Sequence, residues 1–480
     1  MNAGDLEGAL ARSPATVALR DSFAAAGIEA WLVGGVVRDA LLGRPLADVD
    51  LAVAGDPEQA ARAAARALGG PRFALSERFG GWRVLSRERT AACDISPLQG
   101  ATIAADLAQR DFTVNALAVP LAGGPPLDPF GGAADLAAGR LRALGAAAYD
   151  SDPLRTLRLV RLAAELGMAP DAETERLTAA AAPRLTEPAG ERVFGELRRL
   201  LTAPGAVAGL ALAHRLGVLA GALPEIAALD GVEQSRYHHL DVLGHTFAVL
   251  EEQIELLAPD RLEELFGDAA AELVAVLAEP LADDLTRAGA LRFGALFHDV
   301  AKPATRAVGD QGRVTFHGHD VAGEELIGRI FGRLRTSERL RVHVGALARH
   351  HLAAGFLVHE RPLGPADVYG YLDRCGAVAV DVTVLSCADR LATRGRKAEP
   401  AIAAHLEVAR ELIGPALRWH AEGPPRAPVR GDELAAALGI EPGPQLGRLM
   451  GRLAEAAYTG EAVTPDQAVA LGRRLLAGDC

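Results

Sequence analysis

Two rhythms of apolar and polar residues divide the chain. Up to about residue 145, apolar runs of strand length (Ala30 to Val33, Val49 to Ala54, Ala91 to Ile95, Thr113 to Val119) alternate with stretches of helical spacing (Val36 to Leu42, Pro57 to Leu68). Such alternation predicts a sheet with helices packed on it. From Asp152 onward the strand signals mostly disappear. In "DPLRTLRLVRLAAELG", Leu154, Leu157, Val160 and Ala164 recur at helical spacing with arginines between them, predicting a helix opened by Asp-Pro and closed by Gly167. The rest reads as Ala/Leu/Arg helices, punctuated near "GALPEI" and at "EGPPRAPVRG", a Pro/Gly-rich linker into a small C-terminal helical unit. No repeat recurs at a fixed period.

With 480 residues, half of them hydrophobic, the chain is long enough for about two to four domains with real cores. No apolar run reaches membrane-spanning length, and the start "MNAGDLEGALARSP" lacks the basic and apolar regions of a secretion signal. A cytoplasmic protein with no membrane partner is expected. Cys93, Cys375, Cys387 and Cys480 show no Cys-x-x-Cys spacing, so reduced thiols are expected rather than disulfides or a zinc knuckle. The net charge of -12 argues against a protein that coats nucleic acid, and confines any nucleic-acid site to a local patch. Of 50 basic residues only Lys302 and Lys397 are lysines, which makes a surviving lysine informative.

The densest chemistry lies in "LVGGVVRDALLGRPLADVDLAV", Leu32 to Val53. Residues two apart on a strand share a face, so Asp48 and Asp50 present their carboxylates together while Val49 and Leu51 face the core. Paired carboxylates suit a hard divalent cation such as Mg²⁺, which completes its shell with water and substrate phosphates. Gly34 and Gly35, between strand and helix, are placed to offer backbone N–H groups to a phosphate. Together these features read as a triphosphate and metal site, although Asp-x-Asp alone is more often a solvated strand end.

The stretch closely resembles the signature of the class II tRNA nucleotidyltransferase and bacterial poly(A) polymerase family, part of the DNA polymerase β superfamily. Further motifs follow in that family's order: "RDFTVNALAV" (Arg110 to Val119), "DPFGGAADLAAGRLR" (Asp128 to Arg142), the nucleotide-selecting "SDPLRTLRLVR", and "ERVFGELRRLL", similar to an Arg-x-x-x-Glu neck motif. The tail "GDELAAALGIEPGPQLGRLMGRL" is also similar to the C-terminal segment of bacterial members. The resemblance implies that Asp48 and Asp50 are the metal-binding catalytic carboxylates, with Asp94 of "ACDIS" a candidate third; a polar strand end explains Asp94 about equally well. It implies that Arg110 and Asp111 contact the nucleotide, joined as candidates by Gly34, Gly35, Arg38 and Asn115. Gln109 stands where the family usually has another arginine.

Cytosine and adenine share an exocyclic amino group beside an unprotonated ring nitrogen. A carboxylate that accepts from the first and a guanidinium that donates to the second would admit CTP and ATP and reject GTP and UTP. Asp152 and Arg155, three apart and expected on one helix, match the Asp and Arg of the family's Glu-Asp-x-x-Arg motif, which the resemblance implies reads the base edge. Without the family the pair reads as a capping Asp beside an arginine. Ser151 stands where Glu is usual. Arg158 and Arg161 extend the arginine stripe as candidate nucleotide or RNA contacts, or as a solvated helix face.

In the second half, His245 of "DVLGHTFAVL", His298 and Asp299 of "FHDVAKP" and Asp389 of "LSCADRLATRG" resemble the HD phosphohydrolase superfamily, in which such residues converge on a divalent metal. Imidazole with carboxylate suits Mn, Ni or Fe better than Mg. His319 of "HGHDVAGEE" and His350 and His351 of "LARHHL" would supply a two-metal version, and Lys302 a phosphate or metal-site contact.

The expected fold is therefore α+β and multidomain. It comprises a DNA polymerase β-like nucleotidyltransferase sheet domain (1–145), an all-α neck for nucleotide selection and RNA binding (146–225), a helical HD domain (226–420) and a small C-terminal helical unit (421–480). The expected function is template-independent addition of C and A to the tRNA 3′ end from CTP and ATP, with Mg²⁺ at the head. One alternative is an A-adding, CC-adding or poly(A) product. Another is an HD metal phosphohydrolase with an RNA-binding front half. The stretch "SERFGGWRVLSRERT" lies where such enzymes carry a loop that switches C to A addition.

Overall fold

The apolar runs of the first part assemble into a mixed six-stranded sheet. The computed structural model describes residues 6, 8, 10, 13–46, 48–76, 80–235, 238–309, 312–395 and 398–478. Glu77 to Phe79 of the expected switching loop, Lys397 and Cys480 lie outside them. The chain divides into two units, Met1–Pro188 with Ala203–Ala222 and Ala189–Thr202 with Leu223–Cys480.

In the first unit, helix α1 (Pro14–Ala26) leads into β1 (Ala30–Val33), α2 (Gly35–Leu41), β2 (Asp48–Val53), α3 (Pro57–Leu68), β3 (Arg72–Ser76), β4 (Gly81–Leu85) and β5 (Ala92–Pro97). After α4 (Ile103–Leu107), strand β6 (Ala118–Pro120) closes the sheet in the order β3-β4-β5-β2-β1-β6. Strand β2 runs parallel to β5; β4 is antiparallel to β5, and β1 is antiparallel to both β2 and β6. Helices α1 and α3 start in the same way, with a capping side chain (Ser13, Asp56) before a proline, and both end on a glycine in the left-handed conformation. They cover one sheet face, where Leu19, Phe23, Leu32, Val49, Leu51, Val53, Ala60 and Ala64 form a buried cluster. The period of two along β2 then turns Asp48, Asp50 and Ala52 to the other face, where Ala52 packs with Val33, Leu107 and Ala118. Beyond α5 (Gly132–Ala137) and α6 (Ala146–Ser151), helix α7 (Arg155–Leu166) buries Leu157, Leu159 and Val160 and packs on α8 (Ala206–Arg215).

The second unit is helical apart from short two-stranded ribbons. Its centre is formed by α9 (Val242–Leu256), α10 (Arg287–Phe297), α11 (His319–Arg333), α12 (Glu338–His350), α13 (Ala379–Ala392) and α14 (Ala398–Glu422). Phe293, Phe297 and Phe331, each at most 1% exposed, stack edge to face between α10 and α11. Helices α15 (Gly431–Leu438), α16 (Pro444–Thr459) and α17 (Pro465–Ala477) enclose a separate small core of Leu434, Leu449, Leu453 and Leu471. Among the described residues no helix is long and apolar enough to cross a membrane.

Several local expectations need correction. The run Thr113 to Val119 is not one strand: a 3-10 turn occupies Thr113–Asn115 and only Ala118–Pro120 pairs in the sheet. The turn wins because Asp111 accepts from the Phe112 N–H (2.8 Å) and the Asn115 side chain (3.0 Å), local bonds that compete with a strand ladder. Strands β3 and β4 and helices α4 and α5 had no clear signal in the sequence. Asp152 does not share a helix with Arg155. It ends α6 in an extended conformation, and α7 begins at Arg155, because Pro153 disfavours helical geometry in the residue before it.

Helix α5 approaches the 3-10 turn so closely that a β-carbon on Gly132 would lie 2.1 Å from the Thr113 carbonyl oxygen. Gly132→Ala therefore lowers the unfolding free energy by about 1–3 kcal/mol in guanidinium denaturation. Gly195→Ala, whose methyl meets nothing within 4 Å inside the helix Gly190–Thr202, leaves stability unchanged or raises it.

Candidate functional site

The first site forms where β1, β2 and β5 lie side by side. Register sets Asp50 beside Asp94 on the neighbouring parallel strand, and Asp48 lies two residues earlier on β2, exposed. Burial first, and then the Asp94 carboxylate, push the Asp50 carboxyl up to about 6 against the pull of Arg110. Gly34 and Gly35 open α2 directly over this cluster. A β-carbon on Gly35 would stand 3.6 Å from Asp50 Oδ2, and one on Gly34 would stand 2.8 Å from Arg110 Nη1. Gly34 also has a φ of 69°, so both its backbone and its neighbours require glycine. Contrary to the expectation from the sequence, its N–H is not free for a phosphate: it donates to the Leu117 carbonyl at 3.2 Å in linking β1 to β6.

A chain of polar contacts surrounds the carboxylates. Arg110 pairs with buried Asp106 at 2.9 Å, and Arg38 is gripped by Asp39 while donating to Asn115 Oδ1 at 2.7 Å. Asn115 donates in turn to Asp111, whose second oxygen accepts from Arg158 at 3.1 Å. Burial opposes ionisation of Asp111, but Arg158, Asn115 and Arg155 outweigh it and hold the carboxyl at about 2. Arg155 donates to three main-chain carbonyls, those of Gln109 (2.9 Å), Arg110 (3.1 Å) and Ala148 (3.2 Å). Asp152 accepts from the Leu154 N–H at 3.3 Å. Arg161 is buried and paired with Glu165 at 2.6 Å, so it is not part of a solvated arginine face.

The second site is tighter. Among the described residues two groups bring three ligand atoms within 4.8 Å of one another: His245, His298 and Asp299, and Asp299, His319 and His351. Asp299 is common to both. His245 also lies 3.1 Å from Asp389 Oδ1, so six of the seven expected metal ligands converge. His350 does not join them. Next to His351 at the end of α12 it faces Arg349, Glu324 and Arg374, because consecutive helical positions point about 100° apart. Burial, followed by His298, lowers His351 to about 4, which keeps it in the neutral form that binds metal. Despite burial, the hydrogen bond from His245 holds Asp389 well below the usual carboxylate range.

Both sites fit a divalent metal. Buried His298 Nε2 lies 3.0 Å from Asp299 Oδ2 and His319 Nε2 lies 3.4 Å from Asp299 Oδ1, and these mixed imidazole and carboxylate donors suit a borderline cation. In the first site the donors are all carboxylate oxygens, which suits a harder one. Lys302 Nζ is 2.7 Å from Asp299 Oδ2 and donates to Gln234 at 2.6 Å, so two of its three donors are already used.

Comparison with known proteins identifies both halves. Residues 30–142 match the poly A polymerase head domain, 167–229 the probable RNA and SrmB-binding site of polymerase A, and 271–393 the HD domain. The chain is 36% identical to the A-adding tRNA nucleotidyltransferase of Deinococcus radiodurans, over 93% of this chain and 95% of that one. It is 35% identical to the CC-adding tRNA nucleotidyltransferase of Thermus thermophilus, over 92% of each. The chain belongs to the tRNA nucleotidyltransferase and poly(A) polymerase family. The CCA-adding enzyme of Bacillus stearothermophilus, solved in complex with CTP, shares the fold with a TM-score of 0.62 at 23% identity, over 96% of this chain and 98% of that one. As a nucleotidyltransferase of this family with an HD domain, the protein uses divalent metal.

Three residues of these sites escaped the sequence reading. His238 lies with its ring 5.0 Å from that of His245, and burial lowers it to about 4. Gln234 anchors Lys302, and nothing in the loop before α9 signals either residue. Arg83 has no signal of its own either: only the β4–β5 hairpin, turning at Arg87 to Thr90, sets it opposite Asp94.

His351→Ala weakens binding of Mn²⁺ or Ni²⁺ to the full-length protein by about 10-fold or more in calorimetric titration, whereas His350→Ala leaves it within about twofold. The low carboxyl of Asp111 gives a second expectation. A carboxyl lowered on folding stabilises the protein above its unfolded value of 3.8 and loses that contribution as pH falls towards about 2. Wild type therefore exceeds Asp111→Asn by about 2 kcal/mol at neutral pH, at 1.36 kcal/mol per pKa unit. Denaturation measured from pH 6 down to pH 2.5 should show that difference shrinking.

Proposed function

We propose that the protein adds C and A to the 3′ end of tRNA, taking CTP and ATP without a nucleic-acid template and releasing pyrophosphate. The observation that carries this reading is the apposition of Asp48 and Asp50 on β2 with Gly34, Gly35 and Arg110, in a chain related over nine-tenths of its length to tRNA nucleotidyltransferases. The terminal 3′-oxygen attacks the α-phosphorus, the bond from that phosphorus to the bridging oxygen of the β-phosphate breaks, and a carboxylate of the site takes the hydroxyl proton. Asp48 and Asp50 would hold Mg²⁺, which when bound neutralises the triphosphate and makes the hydroxyl a better nucleophile. Arg110, 2.8 Å from the position a Gly34 β-carbon would take, stands over the same point as a phosphate contact.

Base choice falls to Asp152 and Arg155. Three of the five guanidinium N–H groups of Arg155 are engaged with carbonyls, leaving Nε–H and one Nη2–H to donate to the ring nitrogen shared by cytosine and adenine. Asp152 would accept from the neighbouring amino group. Arg38, Asn115, Asp111 and Arg158 brace the nucleotide pocket, and Arg161 acts within α7 rather than on RNA phosphates. The cluster of buried His245, His298, Asp299, His319 and His351 with half-buried Asp389 supports a second activity, metal-dependent phosphoester hydrolysis with Mn²⁺, Ni²⁺ or Fe²⁺. With its two ligand groups sharing Asp299, the cluster has the form of a two-metal site.

The test uses purified protein, Mg²⁺ and tRNA transcripts ending before CCA, after C and after CC, each with labelled CTP, ATP or both. Stepwise completion to CCA is expected, and Asp50→Ala reduces it by roughly a thousandfold. Growth by A alone on the CC-ended transcript, or by CC alone on the shortest, restricts the product as in the two named relatives. No incorporation by folded protein, together with phosphoesterase activity lost in His298→Ala, would make the HD cluster the main site.

A further inference from the structure

Asp94 is the one member of the head carboxylate group held by a cation across the sheet. Arg83 on β4 lies directly opposite it in the antiparallel β4–β5 ladder, and its Nε and Nη2 each bond one carboxylate oxygen at 2.6 Å. Arg38 and Arg110, the other nearby arginines, are anchored to Asp39 and Asp106. Adjacent residues in register share a sheet face, so Arg83, Asp94 and Asp50 form a row across β4, β5 and β2. With both oxygens turned to Arg83, Asp94 does not complete a preformed ligand set. Asp48, Asp50 and Asp94 do not bring three ligand atoms within 4.8 Å of one another, although the HD cluster does so twice. The Arg83 pair is also easily opened, with side chains 41% and 31% exposed, so solvent screens the attraction and can hydrate a released guanidinium. Backbone register fixes both Cα positions, and side-chain rotation alone would release the carboxylate.

We propose that Arg83 is a positioning residue that holds Asp94 away from Asp48 and Asp50, and yields it when a divalent cation enters the nucleotidyltransferase site. The proposal rests on the reading of Asp48 and Asp50 as metal-holding carboxylates. Arg83 then serves as a stand-in cation: it limits repulsion among three clustered carboxylates in the metal-free enzyme and makes their assembly depend on metal. Besides feeling Asp94, Arg83 feels the charges of Asp48 and Asp50, as such a stand-in must.

The test is Mn²⁺ binding, read from the electron paramagnetic resonance signal of the free ion, in full-length protein carrying His298→Ala and His351→Ala to remove binding at the HD cluster. In that background Arg83→Gln should tighten binding about three- to tenfold, because both Asp94 oxygens become available. Asp94→Asn alone should weaken binding about three- to tenfold, because the carboxylate that Arg83 yields is then missing, and in its presence Arg83→Gln should no longer tighten binding. The proposal is overturned if Arg83→Gln leaves the Kd unchanged or raises it. It is overturned equally if the tightening persists with Asp94→Asn, since removal of a positive charge would then be the whole effect. Asp50→Asn separates the two levels: if it fails to weaken Mn²⁺ binding, the assignment of the metal to these carboxylates falls, and the role of Arg83 falls with it.

Discussion

Asp111 is 4% exposed, and both of its carboxylate oxygens are engaged by groups from different parts of the first unit. One oxygen accepts from the Phe112 N–H and the Asn115 amide, fixing the 3-10 turn; the other accepts from Arg158 on α7. Asn115 passes the constraint to Arg38 on α2, the helix whose first residue faces Asp50. One ionised carboxylate thus ties the glycine turn, the turn before β6 and the helix that begins at Arg155 into one frame. An ion buried in this way is tolerable only when its hydrogen bonds are complete, and the geometry of the frame follows from completing them.

The second unit joins three helices through a buried ion group of its own. Helices α10, α12 and α13 each carry candidate metal ligands at or just past their C-terminal ends, His298, His351 and Asp389. Toward their N-terminal ends the same helices are joined by Arg287, His343 and Asp381, a buried group in which Arg287 bonds Asp381 and His343 lies 3.7 Å from it. His343 and Asp381 are each about 12 Å from the ligand on their helix, and Arg287 about 16 Å, at 1.5 Å per residue. Apolar packing between helices tolerates small axial sliding, but a buried ion group does not, because a slipped register strands a charge at about 3–5 kcal/mol. The group therefore defines the axial register that lets histidines from separate helices meet at one point.

Much of this was legible in the sequence, for reasons that differ by residue. The period of two in "DVDLAV" is a local property, so the placing of Asp48 and Asp50 opposite Val49 and Leu51 could be read directly. The helical spacing of Pro57 to Leu68 is likewise local, and Asp56 caps that helix just before its proline. What escaped depends on partners distant in sequence. Arg83 gains its role only when β4 is laid against β5, and Gly34 loses its free N–H only when β6 closes on β1. His350 and His351 are equivalent as a dipeptide, and the rotation of α12 alone selects the second. The break between Asp152 and Arg155 had a local signal in Pro153, outweighed in the sequence reading by the helical spacing of Leu154, Leu157 and Val160.

Ser151 raises a question that the structure answers through the backbone. With Glu at that position a carboxylate would be available to orient the arginine, whereas the Ser151 hydroxyl donates to the Ala148 carbonyl at 2.8 Å and does nothing for Arg155. Arg155 is oriented instead by three carbonyls, two of them from Gln109 and Arg110, the residues that lead into Asp111. Carbonyl oxygens are neutral acceptors, so they fix the guanidinium without cancelling its charge, and that charge still helps to hold Asp111 ionised. Gln109, whose side chain reaches the Gln99 carbonyl, fixes the same peptide from its other side. The departures at positions 109 and 151 each turn a neutral side chain to a main-chain carbonyl, that of Gln99 and that of Ala148. On the proposed reading of Arg155, selection of the base then depends on the rigidity of the segment Gln109 to Asp111, which the Asp111 frame supplies.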